Sequence, residues 1–315
     1  AGFLVFLGSW ASGYLIIATH SWMHHPVGYE ILESGKFVLT NFRALFSNPW
    51  LLPSYLHNQL ASLVTASFVV AAIGAFYILN DKHHEFGKIF IKTGVVFGFI
   101  SSILVAFPTG DLTAKNVVKY QPVTFAAMEG IFETEDGGSE IVLIGQPNIQ
   151  DKKLDNKIAV PNILSFLTYQ EWDAEIKGLN EFDVNIHPKN IPGLYYAYHI
   201  MVGLGTIFIG LLFFAIIQLF RKKLYQTKWI LWSLLFLLPF PYIANTMGWY
   251  TAELGRQPWL VYNLLRTVNG ASPTVSSGNT LFTLLGFIGL YLLLGLLFLI
   301  LAGKIIHKGP QLIKH

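Results

Sequence analysis

The chain has 315 residues, 53% of them hydrophobic and 12% charged, with a formal net charge of +3. That balance, at a mean hydropathy of +0.50, lies far outside the range of soluble domains and marks an integral membrane protein. No basic aromatic patch points to nucleic acid, and the absence of cysteine excludes disulfides, iron–sulfur clusters and thiolate metal sites. Any metal here has to be held by His, Met or a carboxylate.

Six segments are long and apolar enough to cross a hydrocarbon core of about 30 Å as helices, and the alternation expected of a barrel is missing. The predicted fold is therefore all-α, a polytopic bundle of about six spanning helices. The first segment, Phe3–Met23, starts within an apolar run with no initiator Met. It lacks the basic front and cleavage site of a signal peptide, so the start reads as truncated or processed. The second, Pro53–Leu79, carries His57 in Ser54-Tyr-Leu-His57-Asn58-Gln59. A histidine at a helix entry either bonds a neighbour at the interface or serves as an axial haem ligand whose other ring nitrogen is fixed by an acceptor. The third segment is Ile89–Phe107. A long loop, Pro108–Pro192, follows, and its stretch Asp151–Lys157 reads as solvated charge.

The fourth segment, Gly193–Phe220, contains Tyr198-His199-Ile-Met201-Val-Gly203. A lone Met is usually a packing residue. Paired with His57 from a facing helix, Met201 suits a six-coordinate low-spin haem, the thioether favouring the reduced state. Gly203 and Gly205 would let a flat macrocycle approach. The fifth segment, Trp229–Glu253, is interrupted by Pro239 and Pro241, as in transporters with broken helices, but no internal repeat supports that class.

The fifth segment closes on Trp249-Tyr-Thr-Ala-Glu253-Leu-Gly-Arg256-Gln257-Pro258-Trp259. Ionisable residues at such depth are functional by default. Glu253 and Arg256 have the i,i+3 spacing of a helical ion pair, and Trp249 shares a face with Glu253. A carboxylate is a hard, weak-field ligand that leaves haem iron high-spin and open on its other side, as oxygen chemistry requires. Arg256 then suits a haem propionate. The sixth segment is Asn279–Ala302. Lys82, Lys88, Arg221, Lys222, Lys223, Lys228, Lys304, Lys308 and Lys314 fall on one side, which makes that side cytoplasmic. The Glu30–Arg43, Pro108–Pro192 and Gly255–Gly278 connections lie on the other, with His57, Met201 and Glu253 at a common depth near it.

Gly255-Arg-Gln-Pro-Trp259, Leu265-Arg-Thr267, His57, Met201 and Gly110-Asp111…Gln121-Pro122…Ala126-Ala127-Met-Glu129 together resemble subunit I of cytochrome bd-type quinol oxidases. Asn58-Gln59 and His20-Ser-Trp22-Met23-His-His-Pro26-Val-Gly28 fit the same family. The match runs from about Leu4 to the C-terminus. It implies that His57 and Met201 are the axial pair of a low-spin haem b fed by quinol. Glu253 would ligate a high-spin haem, b or d, with Trp249 and Arg256 around it. The resemblance also implies a quinol-binding loop containing Asp111, Gln121, Pro122 and Glu129, with Glu129 accepting a proton from quinol. Without the family, Glu129 reads as one solvated acid among Glu133, Glu135 and Asp136. Residues 1–107 are then the first three helices, 108–192 the extracytoplasmic quinol loop, and 193–315 the last three helices with the Gly-Arg-Gln-Pro-Trp motif.

Three departures stand out. Thr124 occupies a position where the family commonly has Lys. His199 stands where Arg is frequent, and would meet a haem propionate as a titratable group. The family's additional N-terminal helices, which carry a further haem ligand and proton-path acids, have no counterpart in these residues. The implied function is a subunit of a quinol:oxygen oxidoreductase in a bacterial cytoplasmic (inner) membrane. Its implied partners are a second polytopic subunit and small single-helix subunits. The alternative keeps the fold but makes the chain a non-oxidase electron-transfer or structural haem b subunit.

Overall fold

The computed structural model describes residues 2–135 and 137–310. Asp136 and Lys314, named above, lie outside the described residues. The chain opens with α1 (Gly2–His24), a short hairpin β1 (Tyr29–Ile31) and β2 (Phe37–Leu39), and one turn of helix α2 (Phe42–Phe46). Two long helices follow, α3 (Leu51–Leu79) and α4 (His84–Leu104). The third predicted segment does not run straight to Phe107. Pro108 disfavours helical geometry in the residue before it, so Phe107 is extended at φ −129°, ψ 118°, and the chain passes through a wide turn, Val105–Gly110, into α5 (Asp111–Tyr120).

The long loop is itself folded. It holds α6 (Pro122–Glu129), a hairpin β3 (Ile141–Asn148) and β4 (Lys153–Val160), and α7 (Ile163–Tyr169). The Asp151–Lys157 stretch is the turn and start of β4, where Lys153 bridges Asp151 and Asp155. Next come α8 (Ile191–Phe220), α9 (Lys228–Phe236) and α10 (Phe240–Arg256), a hairpin β5 (Trp259–Val261) and β6 (Leu265–Arg266), and α11 (Ser277–Lys308). Five helices are long and apolar enough to span by themselves. α9 and α10, meeting at 44°, complete a sixth. The break falls at Pro239, and Pro241 sits in the first turn of α10, where its missing N–H costs nothing.

Long-range hydrogen bonds fix which ends lie together. Asn116 Nδ2 donates to Pro49 O (3.0 Å) and Tyr262 N to Met23 O (2.9 Å), which gathers the ends of α1 and α10, the start of α3 and the long loop. At the other end Tyr77 Oη donates to Ile306 O (2.8 Å). The tightest pair is α3 against α4, made possible by small residues: a Cβ on Gly94 would stand 2.5 Å from Ser67 O, and one on Gly74 2.7 Å from Gly87 O. Phe68, Ile91, Leu212 and Leu234 fill the core among α3, α4, α8 and α9. A second core, with Phe125, Met128, Leu164 and Leu194, seats the loop on α8. No residue of α11 is buried, and α1 is buried only at Ile17, Ala18, Ser21 and His24.

Candidate functional site

Two polar clusters lie at the loop end of the bundle. The first closes α10. Arg256 donates through Nη2 to Glu253 Oε2 at 2.6 Å, the expected i,i+3 pair. The other oxygen, Oε1, stands 3.1 Å from His20 Nε2 on α1. Trp249, one turn before Glu253, meets the same imidazole edge-on with ring centroids 5.1 Å apart, so Trp249 and Glu253 do share a face. Arg256 is 4% exposed, and its Nε and Nη1 have no protein partner. A buried guanidinium with two unused donors is costly unless an anionic oxygen meets it.

His57 lies on the second turn of α3. Thr109, in the turn after α4, donates its hydroxyl proton toward Leu104 O (3.0 Å) or Val105 O (3.2 Å). Its oxygen is then the acceptor for His57 Nδ1–H at 3.3 Å, which assigns the tautomer and leaves the Nε2 lone pair uncommitted to that contact. Met201 lies on α8 against α10, so close to Gly248 that a Cβ there would be 3.0 Å from its sulfur. No atom stands within 4 Å of a Cβ built on Gly203 or Gly205, so that stretch of α8 is open to a flat group.

Asn245 Nδ2 donates to Thr65 Oγ1 at 2.9 Å, tying α10 to α3. From that contact His57 and Glu253 each lie eight residues toward the loop end, about 12 Å at the helical rise. Gly248 lies only three residues along, about 4–5 Å. His57 and Glu253 thus share a depth, while Met201 sits about 7 Å deeper. His199 packs against the loop: its ring stacks on Tyr195 at 3.9 Å, and its nitrogens face the main-chain carbonyls of Tyr195 (Nδ1, 2.9 Å) and Val142. The helical phase of α8 turns it toward β3, and the unpartnered donors suited to a propionate belong to Arg256.

The second cluster is in the loop. Glu129 ends α6 and is 3% exposed, so it is no solvated loop acid. Burial raises its pKa to about 7, against a hydrogen bond from Tyr198 that favours the ionised form. It lines a cavity of about 260 Å³ together with Phe132, Glu133, Val142, Lys153 and Leu154. Asp111, Gln121 and Pro122 are not among that cavity's walls. Asp111 is paired with Lys115 (2.8 Å), and buried Gln121 turns to α1, donating to His24 O at 2.8 Å. Thr124 Oγ1 donates to Gly255 O at 2.7 Å, so α6 docks directly on the Gly-Arg-Gln-Pro-Trp motif. A lysine has no room there, since Thr124 is 5% exposed.

Among the described residues no three His, Asp or Glu side chains converge as a free metal ion requires. The fixed imidazole of His57, the open glycines of α8 and the unpartnered donors of Arg256 fit haem, which brings its own four nitrogens and carboxylates. His20, Thr109 and Tyr198 are the neighbours of Glu253, His57 and Glu129 to which the sequence assigned no role. The only signal for them was proximity to a motif.

A model of the cytochrome bd terminal oxidase subunit I family matches residues 1–310. The chain is 32% identical over 316 residues to the cytochrome bd ubiquinol oxidase subunit 1 of Bacillus subtilis (strain 168), covering 98% of this chain and 67% of that one. It is 24% identical over 373 residues to the cytochrome bd-II ubiquinol oxidase subunit 1 of Escherichia coli (strain K12), covering 98% and 72%. The solved bd oxidase from Geobacillus thermodenitrificans matches at a TM-score of 0.86 and 28% identity over 96% of this chain and 68% of that one. This chain thus spans about two thirds to three quarters of the length of these relatives. By sequence model, relatives and fold together, the chain belongs to the cytochrome bd terminal oxidase subunit I family.

Proposed function

We propose that this chain oxidises quinol at the folded loop and delivers the electrons to a haem-based oxygen site within a membrane quinol:oxygen oxidoreductase. The observation that carries this reading is Glu129, a carboxyl 3% exposed on a cavity wall, on a helix that packs against the helix bearing Met201; burial pushes its pKa up to about 7. Quinol oxidation releases two electrons and two protons. Glu129 takes one proton from the quinol hydroxyl, and the second leaves past Glu133, Glu135, Lys152 and Lys153, which line the same cavity.

Haem, when bound, supplies the electron carriers and the iron at which oxygen is reduced. His57 and Met201 would hold a low-spin haem b. Glu253 would hold a high-spin haem, b or d, with Arg256 receiving a propionate and Trp249 alongside. A second polytopic subunit would cover α11 and the exposed part of α1, and the loop would face away from the cytoplasm.

The test is a reduced-minus-oxidised spectrum of the purified complex with quinol-dependent oxygen uptake. The expected result is low-spin haem b that is lost in His57→Ala, together with a carbon-monoxide-sensitive high-spin haem. An unchanged low-spin signal in His57→Ala would defeat the ligand assignment. Low-spin haem alone, without oxygen uptake, would make the chain a non-oxidase electron-transfer subunit.

A further inference from the structure

His20 belongs neither to the His57/Met201 pair nor to the quinol loop, yet it makes the longest-range polar contact of the cluster. It reaches from α1 to a residue 233 positions on. We infer that His20 is a positioning residue for Glu253: His20 and Arg256 clamp one carboxylate oxygen each and set the plane of the carboxylate before a haem is bound. The inference rests on Glu253 as the high-spin haem ligand and adds how that ligand is oriented.

The geometry is that of a two-sided grip. Arg256 holds Oε2 at 2.6 Å, and His20 Nε2 stands 3.1 Å from Oε1. With Arg256 alone, the carboxylate would swing about its last single bond on a helix end. A donor on the second oxygen, anchored in a different helix, removes that freedom. A carboxylate has about four lone-pair sites, so the two bonds leave a lone pair on each oxygen for a metal. Exposure has the matching asymmetry: the Glu253 side chain is 45% exposed, whereas His20 and Arg256 behind it are 18% and 4% exposed.

The imidazole is itself held. Trp249 meets it from α10, and the ring of His24, one turn on, lies 4.6 Å away. His24 is stacked on Trp50 at 5.0 Å and fixed by Gln121, whose amide nitrogen donates to its carbonyl. A buried amide at the base of the loop thus supports the ring beside the one that orients Glu253. Partners that orient metal ligands behave this way: their removal costs metal affinity while the ligand itself stays in place.

The experiment compares purified complexes carrying Glu253→Ala, His20→Phe and His20→Gln. Its readouts are the electron paramagnetic resonance line of the high-spin haem, the rate at which a haem-scavenging apoprotein removes that haem, and the thermal midpoint. His20→Phe keeps the volume without the donor. It should broaden the high-spin line and speed haem loss by about 10–100-fold, with the low-spin haem untouched. His20→Gln, which returns an N–H at similar reach, should restore both. Where His20→Phe does not assemble, His20→Ala gives the same comparison. A lowered thermal midpoint with unchanged line shape and haem retention, or failure of His20→Gln to restore them, overturns the inference. If instead Glu253→Ala leaves the high-spin haem in place with its normal line, the ligand reading itself is wrong.

Discussion

Glu129 is the residue on which the proposed loop chemistry turns, because burial and a hydrogen bond push its proton affinity in opposite directions. Burial raises the carboxyl from the usual carboxylate range to about 7, and the Tyr198 hydroxyl pulls it partly back. A folded-state pKa above the unfolded one means the native state prefers the proton. The associated stability is present below the ordinary value of 4.5 and is lost as pH rises through about 7. Catalysis has the opposite sign, since a base must be ionised to accept. Quinol oxidation should rise with pH through about 7 and level off above it. Glu129→Gln should abolish that limb and lower the rate by about 10²–10⁴-fold. Tyr198→Phe removes the bond that favours the ionised form, so the limb should move to higher pH. A pH profile that is the same in all three proteins would remove Glu129 from the chemistry. The sequence shows an acid here but not its environment. Beside Glu133 and Glu135 it looks solvated, and only the packing of α6 against α8 and the β3–β4 hairpin buries it. Thr109 and His20 were equally illegible, since their partners lie 52 and 233 positions away.

Among the elements, the junction of α6 with α10 joins the long folded loop to the Gly-Arg-Gln-Pro-Trp motif. Thr124 donates to Gly255 O, and its methyl occupies the space where a side chain on Gly255 would go: a Cβ there would be 2.7 Å from Cγ2. Threonine is stiff at χ1 and is pinned here by its own hydrogen bond, so it cannot step aside cheaply. Gly255→Ala should destabilise the fold by about 1–3 kcal/mol through overpacking, read as a lower thermal midpoint of the purified complex. Adding Thr124→Ser deletes the methyl, keeps the hydroxyl and should recover most of the loss. An unaltered midpoint in Gly255→Ala would mean that the junction yields freely. The spanning helices were legible because twenty or so apolar residues in a row admit little else, and Pro239 announced the break between α9 and α10. The hairpins were not. β3 carries Gly145 and Pro147, both poor strand formers, and its pairing with β4 includes two register shifts.

For the whole molecule, the placement of charge decides which way the bundle sits in the membrane. The structure brings the 80–83 and 221–227 turns and the end of α11 to one end, through the Tyr77 to Ile306 bond and the packing of α3, α4 and α8. Those short segments carry Lys82, Arg221, Lys222, Lys223, Lys304 and Lys308. The other end carries the long folded loop, whose charges count little toward orientation because long segments cross regardless of charge. The basic end should therefore be cytoplasmic. These 315 residues contain no cysteine, so a thiol introduced among them is the one such group they carry, which makes the orientation simple to test. Asp151 at the β3–β4 turn and Lys223 after α8 are both exposed and lie at opposite ends. In intact cells, Asp151→Cys should react with a membrane-impermeant maleimide, whereas Lys223→Cys should react only after the membrane is opened. The reverse pattern would turn the molecule over and place the Glu129 cavity on the cytoplasmic side, so that quinol protons would be released inward.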